Sequence, residues 1–202
     1  MGVCGTGKST VGGLLADELG VPYAEADAFH PPANIAKMTG GTPLDDTDRE
    51  PWLDAIGAWA RGRTGLGGVV SCSALKRSYR DRLRAAAPGL FFLHLTGDRA
   101  LIAERMERRR DHFMPGALLD SQFAALEPLQ PGEFGAAVSV DRGPGSITAE
   151  AVAVLRNHPV PAVPEGRPEP AAPGSRPESA IPGGQPAPAA HGGQSAPATT
   201  HR

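Results

Sequence analysis

Residues 2–9 read Gly-Val-Cys-Gly-Thr-Gly-Lys-Ser, and no other stretch restricts the fold of this chain as much. The string fits G-x-x-x-x-G-K-[ST] without a mismatch, a pattern met by chance on the order of one per cent of the time at this length. Its glycines let the backbone turn N–H groups inward around a phosphate, where any side chain would intrude. Val11, Leu14, Leu15 and Leu19 recur at helical spacing from Lys8 onward, with Gly20 as the stop. The positive end of that helix points at the same phosphate. Gly2, Val3, Cys4, Gly5, Thr6, Gly7, Lys8, Ser9 and Thr10 are therefore expected to bind the phosphates of ATP. Lys8 would carry positive charge to the β- and γ-oxygens, and the Ser9 hydroxyl would ligate Mg²⁺. A loop of this kind normally leaves a buried strand, and here only Met1 precedes Gly2. Such a strand buries about three apolar side chains at about 1.5–3 kcal/mol each. That sum rivals the net stability of a domain, about 5–15 kcal/mol, so the functional protein is expected to begin several residues upstream.

Downstream, apolar runs alternate with helical patterns. Strands are expected over 21–27, 68–73, 90–95 and 136–141. Helices are expected over 48–61, opened by Asp48 and Pro51, and over 76–87, 99–109, 118–126 and 146–156. This alternation predicts an α/β fold in three layers, a parallel sheet with helices on both faces. Composition changes near Asn157: residues 159–202 hold 11 of the 21 prolines, and no aromatic residue follows Phe134. Such a stretch buries too little apolar surface to offset its ordering entropy. The expected domain is 1–157, followed by a disordered Pro/Ala/Gly-rich tail over 158–202.

Twenty Lys and Arg against 22 Asp and Glu give a net charge of −2. That balance offers no electrostatic reason to expect nucleic acid or a membrane surface as partner. The apolar runs are too short to cross a bilayer, and no basic-then-apolar leader opens the chain. Cys4 and Cys72 stand apart, outside any CxxC or Cys/His cluster, which argues against a disulfide scaffold or a zinc site. A reduced cytoplasmic protein is the expectation.

A phosphotransferase needs a second site that orients an acceptor hydroxyl in line with the γ-phosphate. Ligands gather at the carboxyl ends of parallel strands, where this chain has Glu25-Ala26-Asp27-Ala28-Phe29-His30. Strand alternation would put Glu25 and Asp27 on one side, one on the metal side and the other taking the acceptor proton. Glu25 is assigned to the metal and Asp27 to catalysis and acceptor binding.

Several longer strings carry a resemblance. They are His30-Pro31-Pro32-Ala33-Asn34-Ile35-Ala36-Lys37-Met38, Gly41-Thr42-Pro43-Leu44-Asp45-Asp46-Thr47-Asp48-Arg49, Cys72-Ser73-Ala74-Leu75-Lys76-Arg77-Ser78-Tyr79-Arg80, His112-Phe113-Met114 and Ser121-Gln122-Phe123. In order and spacing they resemble the thermoresistant-type gluconate kinases, over residues 1 to about 156. The resemblance implies ATP-dependent phosphorylation of the 6-hydroxyl of D-gluconate, a P-loop kinase fold with a five-stranded parallel sheet and a mobile lid near 109–117, and a homodimer. A polyhydroxylated carboxylate needs a cation and hydrogen-bonding groups. His30, Arg49, Lys76, Arg80 and His112 are the substrate-binding candidates, Arg49 first because it can bind a carboxylate bidentately. Arg105 and Arg109 match lid-side arginines of the family, and their i, i+4 spacing puts them on one face to cover the transferring phosphoryl group. This chain departs from the family pattern at Ala26, usually glycine, whose methyl would crowd the acceptor site if φ there were positive. It departs also at Cys4, where serine is frequent, and at Asp111, where glycine is usual.

Overall fold

The computed structural model describes residues 1–108 and 116–158. Residues 159–202 of the tail expected over 158–202, and residues 109–115 of the lid expected near 109–117, lie outside these residues, as do Arg109, Asp111 and His112.

The order of elements follows the expected alternation. Helix α1 (Lys8–Leu19) is followed by β1 (Tyr23–Glu25), a 3₁₀ turn (Ala26–Phe29), α2 (Pro32–Thr39) and α3 (Asp46–Arg61). Then come β2 (Val69–Ser71), α4 (Arg77–Ala86), β3 (Phe92–Thr96), α5 (Arg99–Glu107), α6 (Gly116–Ala125), β4 (Gly135–Ser139) and α7 (Pro144–Asn157). Gly20 closes α1 in the left-handed conformation at φ 65, its amide donating to the carbonyls of Ala16 and Asp17, the usual glycine helix stop. Helix α3 begins earlier than expected. Asp45, not Asp48, is its N-cap, and the Asp45 and Asp48 side chains accept reciprocally from each other's amides in a capping box. Pro51 lies inside the helix rather than at its start. Helix α2 was not expected as an element; it is short, capped by Pro31 and opened by Pro32.

Both strand pairings are parallel, β1 with β2 and β3 with β4. The five-stranded sheet implied by the resemblance is, among the described residues, two two-stranded halves. Met1 and Gly2 bridge them. The Met1 carbonyl accepts from the Leu95 amide, the Met1 amino group donates to the Leu93 carbonyl, and the Gly2 amide donates to the Ser73 carbonyl. The phosphate loop thus leaves from between β2 and β3, at the carboxyl ends of all four strands. Side-chain alternation sorts the strands onto two cores. Val70, Cys72 and Phe92 pack with Trp52, Leu53 and Ile56 of α3 and Tyr79 and Leu83 of α4. Val69, Leu93 and Leu95 face α1 and α7, with Val11, Leu15, Ile147, Ala151 and Val152. That is the expected three-layer α/β arrangement. A third apolar cluster joins Val3 and Cys4 of the loop to Leu75, to Ile102 of α5 and to Leu119 and Phe123 of α6.

Candidate active site

The phosphate loop turns on three glycines with positive φ: Gly2 at 137, Gly5 at 79 and Gly7 at 84. A Cβ on Gly2 would stand 2.6 Å from the Leu95 carbonyl oxygen, and one on Gly5 would stand 2.7 Å from Met106 Cγ. A Cβ on Gly7 would meet nothing within 4 Å, because Gly7 faces an open cleft. That cleft has a volume of ≈ 410 Å³ and is lined by Gly5, Gly7, Arg105, Asp141, Arg142, Gly143 and Pro144. It is of the size that holds a small organic ligand. Arg105 closes one side, its Nη2 donating to the Arg142 carbonyl at 3.3 Å. Arg108 turns away and pairs with Glu104. Gln122 of α6 meets the loop from the other side, its Oε1 accepting from the Cys4 amide at 2.6 Å. Lys8 folds back onto its own loop and donates to the Val3 carbonyl at 2.8 Å. Burial pushes the Lys8 ammonium below its ordinary value, while Cys4, Cys72, Asp27 and Glu25 pull it the other way.

Glu25 ends β1 and is gripped from several sides. Tyr23 Oη and Ser71 Oγ both donate to its carboxylate, the latter at 2.6 Å. Burial alone would raise its pKa, but hydrogen bonds from Ser71, Tyr23 and Ser9, with the charge of Lys8, hold it below the usual carboxylate range. Ser9 and Glu25 therefore form an oxygen pair beside Lys8. Hard oxygen donors of this kind suit Mg²⁺, which takes few protein ligands and completes its shell with phosphate and water. No group of three or more His, Cys, Asp or Glu side chains is gathered among the described residues.

Asp27 does not continue the alternation of β1. It lies in the 3₁₀ turn that follows the strand, so the turn and not strand alternation sets its position. Both carboxylates act on Lys8. Ala26 is buried, and among the described residues Ala74 is the only non-glycine with positive φ, so the methyl of Ala26 meets no left-handed strain. The Ala26 carbonyl accepts from Trp52 Nε1 at 2.7 Å. His30 stacks on the Trp52 ring, centroids 4.7 Å apart and planes 8° from parallel. Burial, with the nearby Arg49 charge, keeps His30 below the ordinary imidazole range against the opposing pull of Asp27.

The four described basic candidates separate. Among the described residues Arg49 has a single hydrogen bond, from Nη2 to the Leu44 carbonyl at 3.3 Å, which leaves most of its fork for a ligand. Lys76 is bound to both Asp46 oxygens, at 2.8 and 2.7 Å, with Tyr79 Oη donating to the same carboxylate. Arg80 is corrected: it is wholly buried and cannot touch a substrate. Its guanidinium pairs with Glu133 at 2.6 Å and donates to protein carbonyls. Helical spacing marks Arg80 as basic but not as inward-facing, and its partner lies far away in sequence. The cleft-lining residues Asp141, Arg142, Gly143 and Pro144 were missed altogether; the one signal available was their place just after the last strand.

No protein-family model matches the chain. A gluconokinase of Gluconobacter oxydans is 46% identical over 154 residues, covering 75% of this chain and 86% of that protein. The thermoresistant gluconokinase of Escherichia coli is 38% identical over 159 residues, 77% of this chain and 91% of that one. A crystal structure of a gluconokinase from Sinorhizobium meliloti superposes with a TM-score of 0.72 at 50% identity, covering 78% of this chain and 89% of that chain.

Proposed function

The chain belongs to the gluconokinase family, and from that premise we propose how its residues phosphorylate D-gluconate. ATP is the donor, and the product is 6-phospho-D-gluconate. The comparisons favour neither a kinase for a shikimate-like acid nor a non-catalytic nucleotide-binding protein.

In this reading the triphosphate lies in the phosphate loop of residues 2–10 and the nucleoside in the cleft between Arg105 and residues 141–144. Ser9 directly and Glu25 through water would hold Mg²⁺, which would supply charge neutralisation of the β- and γ-phosphates. Gluconate lies against the 3₁₀ turn, with its carboxylate on Arg49 and its hydroxyls near His30 and Asp27. The 6-hydroxyl oxygen bonds to the γ-phosphorus as the bond to the β,γ-bridging oxygen breaks, and ADP leaves. Asp27 accepts the hydroxyl proton. Lys8 and Arg105 stabilise the equatorial oxygens of the transferring group, with Arg109 as the second arginine proposed for that role and His112 as a further substrate contact. Lys76 joins the acceptor side when Asp46 releases it. The enzyme is proposed to work in the cytoplasm, as a homodimer; among the described residues no helix is long and apolar enough to cross a membrane.

One observation carries the arrangement: Gly2 is bound to the Ser73 carbonyl, two residues beyond Ser71, the register partner of Glu25, so the phosphate loop and the acids at the end of β1 meet at the same end of the sheet. The test is a coupled assay for ATP-dependent 6-phosphogluconate formation. Lys8→Ala is expected to abolish it, and Asp27→Asn to lower kcat by about 10²–10⁴-fold. A full rate in Asp27→Asn would remove that residue from proton transfer, and absence of turnover in the wild type would sink the whole reading.

A further inference from the structure

The turn that leaves β2, residues 73–76, joins the two halves of the site. Its first carbonyl, on Ser73, accepts from the Gly2 amide at 3.1 Å and fixes where the phosphate loop begins. Its last residue, Lys76, faces Asp46 on the acceptor side. Between them Ala74 is buried at φ 41, a conformation that an alanine keeps only where its surroundings hold it. Arg80 does the holding. Its Nη1 donates to the carbonyls of Ala74 at 3.2 Å, Leu75 at 3.1 Å and Glu127 at 3.0 Å. Nη2 reaches the Pro128 carbonyl at 3.4 Å, and the fork closes on Glu133 at 2.6 and 2.8 Å. Glu127, just beyond α6, grips the same turn: its amide donates to the Leu75 carbonyl at 2.9 Å and its carboxylate accepts from the Arg77 amide. A guanidinium offers five N–H donors in a rigid plane, and here they serve the turn, the segment after α6 and one buried carboxylate. No lysine could serve all three.

We propose that Arg80 is a positioning residue for phosphoryl transfer. Anchored on Glu133, it keeps residues 73–76 in their strained turn and so sets the phosphate loop and Lys76 at a fixed separation. This rests on the kinase reading above. It differs from a substrate-binding role, because Arg80 acts only through the backbone of Ala74 and Leu75, next to the Ser73 carbonyl that holds Gly2, and from a merely stabilising one, because the effect falls on the reacting geometry.

The test compares wild type, Arg80→Lys and the double variant Arg80→Lys/Ala74→Gly, well below their melting temperatures and per folded molecule. Arg80→Lys is expected to lower kcat at least tenfold, with KM for gluconate and for ATP within threefold. The double variant is expected to regain at least threefold of that loss, because glycine holds φ 41 without a clamp. In ¹H–¹⁵N spectra the Gly2 amide should move in Arg80→Lys and return in the double variant, a readout that needs no turnover. A rise confined to the gluconate KM, with the Gly2 amide unmoved, would make Arg80 a substrate ligand and overturn the proposal. A lower Tm with unchanged kcat would reduce Arg80 to core support and overturn it equally. If Arg80→Lys does not fold, Glu133→Gln is read by the same kcat, KM and Gly2 measurements, and wild-type values there refute the idea. A wild type inactive on gluconate refutes the kinase reading instead, and the Gly2 amide then decides the positioning role alone.

Discussion

Gly7 and Gly20 form a natural matched pair, because both are left-handed, at φ 84 and φ 65, and a Cβ on either would touch nothing within 4 Å. Alanine at either position carries the same backbone cost, about 1–2 kcal/mol for the left-handed region. A stiffer unfolded chain offsets about 0.4–1 kcal/mol of it. The net loss, about 1 kcal/mol, lowers Tm by about 2–4 °C in a domain of this size. The two positions differ in what the open space is for. Gly20 caps α1 in solvent, whereas Gly7 lines the cleft beside Arg105. In the proposed binding mode a methyl on Gly7 would stand where the phosphate lies. Losing two charge-assisted hydrogen bonds of about 1.5–3 kcal/mol each weakens nucleotide binding by roughly 10²–10⁴-fold. The assay is thermal melting of both variants with and without a non-hydrolysable ATP analogue at 100 times the wild-type Kd. Wild type and Gly20→Ala should be stabilised by about 2.7 kcal/mol. Gly7→Ala should gain less than about 0.5 kcal/mol, although the two apo proteins melt together. Equal nucleotide-dependent shifts in the two variants would refute the assignment of the cleft.

Arg49→Lys should leave Tm within about 1 °C, since one 3.3 Å hydrogen bond is all that Arg49 makes among the described residues. It should raise the gluconate KM about tenfold or more through loss of the bidentate fork, and an unchanged KM would remove Arg49 as the carboxylate ligand. His94 is buried in β3, and burial, with the chain's amino group and Arg80 adding to it, lowers its pKa from 6.5 to about 4. The unfolded chain therefore binds the extra proton first, so stability should fall as pH drops from 6.5 to 4; urea titrations of wild type and His94→Gln should diverge in that window and run parallel above it. Glu133 is the opposite type of group: the hydrogen bonds from Arg80 lower its pKa from 4.5 to about 2. Its contribution is present above pH 4.5 and is lost as pH falls toward 2, so acid unfolding of Glu133→Gln should be flatter there than that of wild type.

Where the chain carries local signals, sequence and structure agree closely. The bounds of helix α1 could be read residue for residue because the left-handed Gly20 is a local stop, but its apolar stripe only in part: Val11 and Leu15 are buried beside Gly12 and Ala16, whereas Leu14 and Leu19 are exposed. The phosphate loop was equally legible, since each glycine answers a backbone requirement at its own position. Helix α2 was not, because its eight residues, opened by Pro32 and with Ile35 and Met38 half exposed, show no clear inward stripe. Strand alternation was the wrong ground for placing Asp27, because a 3₁₀ turn interrupts β1 after Glu25. Arg80 was misassigned because a basic residue in a basic helix looks the same whether it meets solvent or a buried carboxylate 53 positions away. Residues 141–144 escaped notice because only the folded sheet brings the end of β4 against Gly5 and Gly7. Local chemistry is written in the sequence, and partners supplied by tertiary packing are not.

The His30–Trp52 stack has an optical consequence. Trp52 is an indole shielded from water, with its N–H bound to the Ala26 carbonyl and an imidazole lying flat on its face. A protonated imidazole quenches indole emission more strongly than a neutral one. Since His30 is held below the usual histidine range, Trp52 should stay bright at neutral pH and dim only in more acidic buffer. In the binding mode proposed above, a sugar acid settling against His30 would change both the stacking and the proton on that ring. The proposed acceptor site would thus contain its own fluorophore, and with Trp59 replaced by phenylalanine its emission would report occupancy without nucleotide, turnover or label.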